Sequence, residues 1–208
     1  MALANYRRAL QIREQLFKPD HPLIAQSLNN LGFLLHLLGE YPEASLYLKR
    51  ALNIRKHNLD PGHPETAISY NNFGYLLQSM GKYDEAQDNF ENALKILKTI
   101  SSFEHPHTKT VHKNMAKNEF LLQLNELDTI WSQISVIEKL SANDIDMTKS
   151  DMKEIFIEAT KQSPRVNRVR RRLEDVKDIA KEMNEEAKFY LKLNSIIDSL
   201  ILKASNIY

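Results

Sequence analysis

The residues best suited to metal chemistry are three histidines near the middle of the chain. His105 and His107 are separated by one residue, and His112 follows shortly after them. Imidazole nitrogens bind zinc and other transition metals, but a zinc site needs further histidine, cysteine or carboxylate ligands at a suitable spacing. The chain contains no cysteine, and no carboxylate lies at a zinc-motif spacing from these histidines. We therefore predict no metal site.

Catalytic motifs are also missing from the sequence. Serine, histidine and aspartate are all present, but no serine lies in the sharp strand-to-helix motif that exposes a nucleophile. The five glycines belong to a repeated pattern, described below, and form no phosphate-binding loop. Without cysteine, disulfides and thiolate catalysis are excluded. We expect a protein that is not an enzyme and that binds no cofactor.

Arginines cluster in residues 165–172, which could contact phosphates or an acidic surface. Glu174, Asp175 and Asp178 follow closely and can pair with the arginines along a helix. The cluster lacks the aromatic residues on which single-stranded nucleic acids stack. The whole chain is nearly neutral, with 28 Lys and Arg against 27 Asp and Glu. This balance favours an internally paired, solvated face, and we expect no nucleic-acid partner.

The elements that organise the rest of the chain come from an internal repeat. His21-Pro22, His63-Pro64 and His105-Pro106 follow one another at intervals of 42 residues. The same interval relates Asn29-Asn30 to Asn71-Asn72, Gly32 to Gly74, Gly39 to Gly81, Tyr41 to Tyr83, Glu43-Ala44 to Glu85-Ala86 and Ala51-Leu52 to Ala93-Leu94. Self-similarity at such an interval is typical of a solenoid built from stacked units.

Each unit of the repeat is predicted to be a helical hairpin. Helical spacing relates the leucines of the first helix, and Gly39 can end that helix in a left-handed conformation. A second helix is predicted over Pro42 to Arg55, with proline at a favourable first-turn position. The apolar residues that carry these two predictions are Leu28, Leu31, Leu34, Leu35 and Leu38, then Ala44, Leu48, Ala51, Leu52 and Ile54. The fold class is therefore all-α.

Small residues recur where the two helices of each unit should approach closely. Gly32 and Ala44 in one unit correspond to Gly74 and Ala86 in the next. A glycine inside a helix costs about 1 kcal/mol relative to alanine, so its recurrence indicates a steric need. With its leucine-glycine and alanine landmarks, the pattern resembles the tetratricopeptide repeat, and in particular its longer kinesin-light-chain type. The segments that carry this resemblance are His21 to Gly32, Gly81 to Ala86 and Arg8 to Arg13.

The resemblance covers residues 1–125, and both ends of this region depart from the pattern. Residues 2–17 align with the second helix of a unit whose first helix is missing, so we expect a fragment of a longer protein or a surface covered by a partner. The third unit is degenerate, and residues 126–140 are predicted to form a separate capping helix. Its departures are Ala116, Gln123, Asn125 and Asp128, which replace glycine, glycine, tyrosine and alanine.

The C-terminal third is predicted to be a helical extension. Residues 141–164 should form a polar linker up to Ser150 and a short helix, and residues 165–208 one long helix of about 60 Å. An a/d heptad register supports that helix, over Val166, Val169, Leu173, Val176, Ala180, Met183, Ala187, Tyr190, Asn194, Ile197 and Ile201. It could fold back on the chain, or form a coiled coil with a second copy or another protein, Asn194 then fixing the register.

The resemblance also implies where a ligand would bind, because tetratricopeptide repeats bind ligands on the concave face lined by their first helices. The corresponding positions are Gln26, Asn29, Asn30, Phe33 and His36; Ile68, Asn71, Asn72, Tyr75 and Gln78; and Thr110, Lys113, Asn114 and Lys117. Asparagine amides could bond the backbone of an extended peptide, and the lysines would suit a carboxylate. One asparagine of each pair could instead bond a neighbouring helix; the resemblance implies that Asn30 and Asn72 face the ligand.

We therefore expect a non-catalytic module that binds a peptide or partner domain. Two alternatives remain: a regulatory or sensor segment of a larger signalling or effector protein, and an assembly subunit that forms a homodimer through its C-terminal helix. The sequence has no apolar run long enough to span a membrane and no apolar signal core at its N-terminus. A cytoplasmic location and no membrane partner are expected.

Overall fold

A computed structural model describes residues 2–99, 106–137, 142–161, 165–181 and 188–207. In these ranges it contains nine α-helices and no strand, which confirms the all-α class. The helices are α1 (Ala2–Leu16), α2 (Pro22–Leu37), α3 (Tyr41–Asn58), α4 (Pro64–Ser79), α5 (Tyr83–Thr99), α6 (Pro106–Ile137), α7 (Ala142–Thr160), α8 (Val166–Lys181) and α9 (Lys188–Ile207).

The chain divides into two compact units, and the division falls within α6. The repeat unit comprises residues 1–118 and holds the hairpins α2/α3 and α4/α5. The C-terminal unit comprises residues 119–208.

The His-Pro pairs begin the first helix of each hairpin. His21 and His63 are the N-cap residues, and their Nδ1 atoms accept hydrogen bonds of 3.2 Å from the backbone N–H groups of Leu23 and Glu65. These bonds satisfy donors that a helix N-terminus leaves without intrahelical partners. The corresponding histidine of the third unit, His105, lies outside the described residues.

Two glycines end these first helices. Gly39 and Gly81 have φ angles of +83° and +74°, in the left-handed region that side chains rarely adopt. Their positions let the chain reverse directly into α3 and α5. The hairpin turns therefore depend on glycine at these two positions.

Close packing within each hairpin explains the other pair of glycines. A Cβ atom at Gly32 would lie 2.8 Å from Leu48 Cγ, and one at Gly74 would lie 2.9 Å from Phe90 Cε1. Both Leu48 and Phe90 are fully buried. The steric need predicted from the sequence is confirmed, with one large side chain of the second helix filling the space over each glycine.

At the first two junctions an arginine, half-buried Arg13 or buried Arg55, joins the second helix to the following first helix. Arg13 Nη1 donates to Ser27 Oγ at 2.9 Å, and Arg55 Nη1 donates to Ser69 Oγ at 2.8 Å. The same guanidinium groups donate to backbone carbonyls in the first turn of α2 and α4, at 2.8 and 3.1 Å. These carbonyls and hydroxyls are thereby satisfied at the junctions between units.

The third junction replaces this polar pair with an apolar pair. Leu97 and Val111 occupy the positions that correspond to Arg55 and Ser69, and both are buried, with 2% and 1% of their surface exposed. They belong to one hydrophobic cluster with Phe90. Arginine and serine have changed together, so Val111 presents no hydroxyl that would need the missing guanidinium donor.

The predicted turn in the third unit is not present. Helix α6 continues from Pro106 to Ile137, whereas the sequence predicts a break near Gln123 and a separate capping helix from residue 126. Gln123 stands where the earlier units have Gly39 and Gly81, so the left-handed residue that permits the turn is missing. The last three residues predicted for that helix, 138–140, lie outside the described residues.

The C-terminal unit is built from the end of α6 and helices α7, α8 and α9. Side chains link α9 to α6, with Ser199 Oγ donating to Gln123 Oε1 at 3.1 Å and Lys203 paired with Glu119 at 3.5 Å. Helix α7 begins at Ala142, so the prediction of a linker up to Ser150 is wrong. Thr148 is fully buried on the same helical face as Met152 and Ile155. The polar composition of residues 141–150 gives no indication in the sequence that part of this segment is buried.

The predicted long C-terminal helix is two helices that pack against each other. Lys177 of α8 forms an ion pair with Asp198 of α9, whereas one continuous helix would place these residues about 30 Å apart. The predicted stripe is buried on α8, at Val169, Leu173, Val176 and Ala180. On α9 the predicted register is wrong: Ile197 is fully buried but Asn194 and Ile201 are half-buried, and Leu193, Leu200 and Ala204 are buried in their place. A hairpin satisfies the pattern as well as a coiled coil does.

The arginine cluster is internally paired, largely through α7. Arg172 pairs with Asp151 and, at 3.7 Å, with Glu154. Arg170 pairs with Glu174 one turn along α8, at 3.1 Å. Glu158 accepts from the backbone N–H of Arg165 at 2.8 Å, just before α8 begins. Ion pairs of the predicted kind are present for Arg168, which lies 3.9 Å from Glu158, and for Arg170 and Arg172, but most of the acidic partners precede the cluster in sequence.

Candidate functional site

The predicted ligand-binding residues lie on α2, α4 and the part of α6 that belongs to the repeat unit. We call the surface formed by α2, α4 and residues 106–118 the first-helix face. The predicted positions differ in exposure: Asn29, His36 and Gln78 are buried; Gln26, Phe33, Ile68, Asn71, Asn72, Tyr75, Asn114 and Lys117 are half-buried; Asn30, Thr110 and Lys113 are exposed.

Asparagine amides connect the three helices of this face. Asn72 Nδ2 donates to Asn29 Oδ1 at 3.2 Å, which links α4 to α2. Asn114 Nδ2 donates to Asn71 Oδ1 at 2.9 Å, which links α6 to α4. A contact of 3.4 Å from Asn71 Nδ2 to Asn72 Oδ1 joins the two links into one chain of amides. We call Asn29, Asn72, Asn71 and Asn114 the amide ladder.

The ladder separates the members of the first asparagine pair. Asn29 is 6% exposed and serves as the acceptor for Asn72, whereas Asn30 is exposed. Asn72 is half-buried and takes part in the ladder. In the first pair, Asn29 contacts the neighbouring helix and Asn30 is accessible to a ligand. In the second pair, Asn72 does both.

His36 is an internal contact between helices. Its Nε2 lies 2.8 Å from Ser79 Oγ, and its ring meets the ring of Tyr75 edge-on, with centroids 4.8 Å apart. Burial lowers the pKa of His36 from its ordinary value of 6.5. Through these contacts the imidazole helps to position the ring of Tyr75, so His36 contributes to the first-helix face only indirectly.

Gln26 and Gln78 are also engaged within the repeat unit. Gln26 Oε1 accepts from Arg13 at 3.1 Å. Gln78 Nε2 donates to the Asn114 carbonyl at 3.2 Å and lies 3.5 Å from Asn118 Oδ1. The side chain of Asn118 in turn donates to the Tyr83 carbonyl at 2.8 Å. The bonds made by Gln78 and Asn118 hold the beginning of α6 beside α4 and α5.

Sequence reasoning missed Asn118, although the repeat contains a signal for it. Asn118 is fully buried and stands where the earlier units have Leu34 and Leu76. A polar residue at an otherwise apolar repeat position predicts a buried hydrogen-bond network. Leu34 and Leu76 show that this repeat position is otherwise occupied by an apolar side chain.

Two lysines give one end of the face a positive charge. Lys113 is exposed and Lys117 is half-buried, one turn apart on α6. Burial and the charge of Lys113 both lower the pKa of Lys117 from its ordinary value of 10.5. An anion placed between the two ammonium groups would relieve this repulsion.

The described residues contain no group of three or more histidine, cysteine, aspartate or glutamate side chains that could hold a metal ion. His105, one of the histidines considered above, lies outside the described residues. No helix in the described part of the chain is long and apolar enough to span a membrane.

Stacked helical hairpins define a helical-repeat protein. The sequence model of the tetratricopeptide repeat matches residues 1–57, 48–99 and 65–125. The chain therefore belongs to the tetratricopeptide repeat family, whose members typically mediate protein–protein interactions.

Solved structures share the fold. One is a Podosopora anserina putative kinesin light chain with nearly identical TPR-like repeats, at a TM-score of 0.56 and 16% sequence identity, over 99% of this chain and 85% of that one. A point variant of the same fungal protein matches at a TM-score of 0.55 and 15% identity, over 99% of this chain and 87% of that one. No curated protein sequence matches the chain.

Proposed function

We propose that the chain is a non-catalytic interaction module that binds an extended peptide segment of a partner protein along its first-helix face. The segment would cross α2, α4 and the beginning of α6. The amide ladder is the observation that carries this proposal.

The ladder is suited to peptide backbone because its amides are already held in position. A primary amide has two N–H donors and an oxygen with two lone pairs, and the bonds between Asn71, Asn72 and Asn114 use only part of this capacity. All three residues are half-buried, so they are in contact with solvent. Fixing them before binding reduces the entropy lost when a ligand is bound.

Aromatic residues beside the ladder would supply the apolar contacts. Phe33 and Tyr75 are half-buried, and both rings contact His36, with centroid distances of 6.1 and 4.8 Å. In an extended peptide successive side chains point in opposite directions, so alternate ones could contact these rings. Rigid aromatic groups provide large contact areas at low cost in side-chain entropy.

Lys113 and Lys117 favour a peptide with an acidic group. The lowered pKa of Lys117 reflects burial and the neighbouring charge, and a carboxylate would offset both effects. The peptide that best fits this face is therefore extended and carries at least one acidic residue or its C-terminal carboxylate near α6.

Dimerisation through the C-terminal helix has less support. The apolar residues that would form its coiled-coil stripe, such as Val169, Leu173 and Ile197, are fully buried within the chain. Because α8 and α9 bury these residues against each other, they are not available to contact a second copy of the chain. A role as a segment of a larger protein is compatible with peptide binding.

A selection from a random peptide library tests the proposal, because it requires no assumption about which protein supplies the peptide. Peptides retained by the purified chain would be sequenced, and their affinities measured by fluorescence anisotropy. Asn30→Ala with Lys113→Ala removes two exposed groups from the first-helix face. Asn53→Ala with Lys49→Ala makes the same exchanges at exposed positions of α3. Helical circular dichroism would be recorded for each variant.

We expect the selected peptides to be rich in acidic residues. The first-helix variant should bind them at least about tenfold more weakly, which corresponds to about 1.4 kcal/mol, and the α3 variant should match the unmodified chain. Equal binding by both variants would overturn the proposal, as would a selection that yields no acidic peptides.

A further inference from the structure

A pocket of about 590 Å³ lies in the repeat unit, outside the first-helix face. Its walls come from the end of α3, the loop into α4, the first half of α4 and the last two turns of α5. The lining residues are Lys56, Leu59, Asp60, Pro61, Gly62, Thr66, Tyr70, Asn92, Lys95, Ile96 and Thr99. The volume falls within the range of small-molecule sites, which is about 300–1,000 Å³.

The preceding junction provides an internal control, because the same elements recur 42 residues earlier. There the position of Leu59 holds Phe17, which stacks on His21 with ring centroids 4.2 Å apart. The position of Thr66 holds Ile24, which is fully buried. At these two positions the first junction has the larger apolar group, whereas Tyr70 corresponds to the smaller Leu28.

An ion pair also crosses the first junction and has no counterpart in the second. Arg50 Nη1 and Glu14 Oε1 are 2.6 Å apart and tie α3 to α1. The corresponding residues in the second junction are Asn92 and Lys56, which cannot form such a pair. The second junction therefore lacks the Phe17 and Ile24 side chains and the bridging ion pair of the first, and the four residues at these positions, Leu59, Thr66, Lys56 and Asn92, line the pocket.

The lining combines apolar walls with one buried hydroxyl that has no hydrogen-bond partner among the described residues. Leu59, Tyr70 and Ile96 are half-buried. Thr66 is 4% exposed, and its Oγ1 has no hydrogen-bond partner among the described residues. A buried hydroxyl without a partner is costly, and a water molecule or a ligand in the pocket would supply the missing partner.

The rim has a net positive charge. Lys56 and Lys95 are exposed and line the pocket together with one carboxylate, Asp60. Lys56 Nζ lies 6.0 Å from the centroid of the Tyr70 ring, so its ammonium group is held over the pocket wall. Neither lysine has an ion-pair partner in the described ranges. This rim is suited to an acidic head group.

We infer that this pocket is a second binding site, for a small molecule that has an apolar, preferably aromatic, body and one acidic group. The body contacts Leu59, Tyr70 and Ile96. The acidic group lies between Lys56 and Lys95. The site is separate from the proposed peptide-binding face and does not depend on it.

Anilinonaphthalene sulfonate is a suitable probe because it joins aromatic rings to one sulfonate and fluoresces in apolar surroundings. Two variants restore the first junction's residues in the second. Leu59→Phe with Thr66→Ile fills the pocket, and Lys56→Glu with Asn92→Arg recreates the bridging ion pair. Lys49→Glu with Asn53→Arg makes the same change in charge at exposed positions of α3 and is the charge control, and Asn30→Ala is the control for the first-helix face. Circular dichroism and melting temperature would establish that each variant is folded.

We expect saturable binding of one probe molecule per chain. Affinity should fall at least tenfold in both pocket variants and stay within twofold in both controls. Binding that is not saturable, or that is equal in the unmodified chain and a folded pocket variant, would overturn the inference. The two pocket variants share no substitution, so either one decides the outcome if the other fails to fold.

Discussion

Asn72 Nδ2 lies 3.2 Å from Asn29 Oδ1, and this hydrogen bond ties the first helix of one hairpin to the first helix of the hairpin before it. Asn29 is buried and Asn72 is half-buried, so the bond has one end in the interior and one end at the surface. Through Asn71 the connection continues to Asn114 on α6. One network therefore contributes to the stability of the repeat unit and to the order of the proposed binding face.

Asn29→Ala should lower stability, whereas Asn30→Ala should not. Removing the Asn29 amide leaves the Asn72 donor without its partner in a half-buried position, which costs about 1–2 kcal/mol. Asn30 is exposed, so its truncation should change the free energy of unfolding by less than about 0.5 kcal/mol. Urea denaturation of both variants measures the difference, and equal losses would show that the ladder does not distinguish these neighbours.

Gly32→Ala should destabilise the chain by about 1–3 kcal/mol, although alanine is the better helix former. The added Cβ atom would lie 2.8 Å from Leu48 Cγ and 3.1 Å from the Leu48 backbone nitrogen. Shortening the opposing side chain relieves the first contact. In a Leu48→Ala background we therefore expect Gly32→Ala to be much less costly, and a double-mutant cycle measures this coupling. Additive losses would contradict the packing described here.

Arg55→Leu should cost about 2–4 kcal/mol, because the buried Ser69 hydroxyl and the Glu65 carbonyl lose their donor. Adding Ser69→Val recreates the apolar pair that Leu97 and Val111 form at the next junction. The double variant should recover most of the lost stability. If Ser69→Val deepens the loss in the Arg55→Leu background, the two junctions are not interchangeable.

Stability should fall as the pH drops below about 6.5, because burial lowers the pKa of His36 from that ordinary value. The unfolded chain then binds a proton that the folded ring resists, so this contribution is complete above the unfolded pKa. The loss cannot exceed about 1.4 kcal/mol per pH unit for one histidine. Urea midpoints between about pH 7.5 and pH 5.5 would measure it, with His36→Gln as the comparison. A slope in this window that survives the substitution would assign the effect to other groups.

A second loss of stability, linked to a carboxyl group and not to a histidine, should occur at lower pH. The hydrogen bond from Lys161 and that from the Arg165 backbone hold the pKa of Glu158 below its ordinary value of 4.5. A lowered carboxyl pKa contributes stability above the unfolded value and loses it as the pH falls through the folded value. The two windows are therefore separated, and Glu158→Gln should leave the His36 slope unchanged.

The hairpins could be predicted from sequence because each landmark has one local physical cause. Gly39 and Gly81 supply a conformation that other residues rarely adopt, and Gly32 supplies space that any side chain would fill. The fusion of the third unit into α6 follows from the same rule, since Gln123 cannot replace a left-handed glycine without strain. The sequence showed the substitution, but a separate capping helix was predicted in spite of it.

The C-terminal unit was harder to predict because a heptad stripe specifies a buried face and not the partner of that face. Val169 and Leu173 are buried equally well by a hairpin partner or by a second chain. For the candidate site, the resemblance identified the helices, but side-chain roles depended on neighbours far apart in sequence. His36 stands at a predicted ligand position but contacts the adjacent helix. Asn29 also bonds the adjacent helix, which is the alternative that the sequence leaves open for one asparagine of each pair.

Side-chain amide NMR of a selected acidic peptide bound to the chain tests the central claim most directly. The NH₂ resonances of Asn30, Asn72 and Asn114 should shift in a saturable way as peptide is added, while those of Asn53 and Asn58, on α3, should stay in place. This result would locate the peptide on the first-helix face. Shifts confined to α3, α5 or the C-terminal unit, with Asn30 and Asn72 unchanged, would contradict the account.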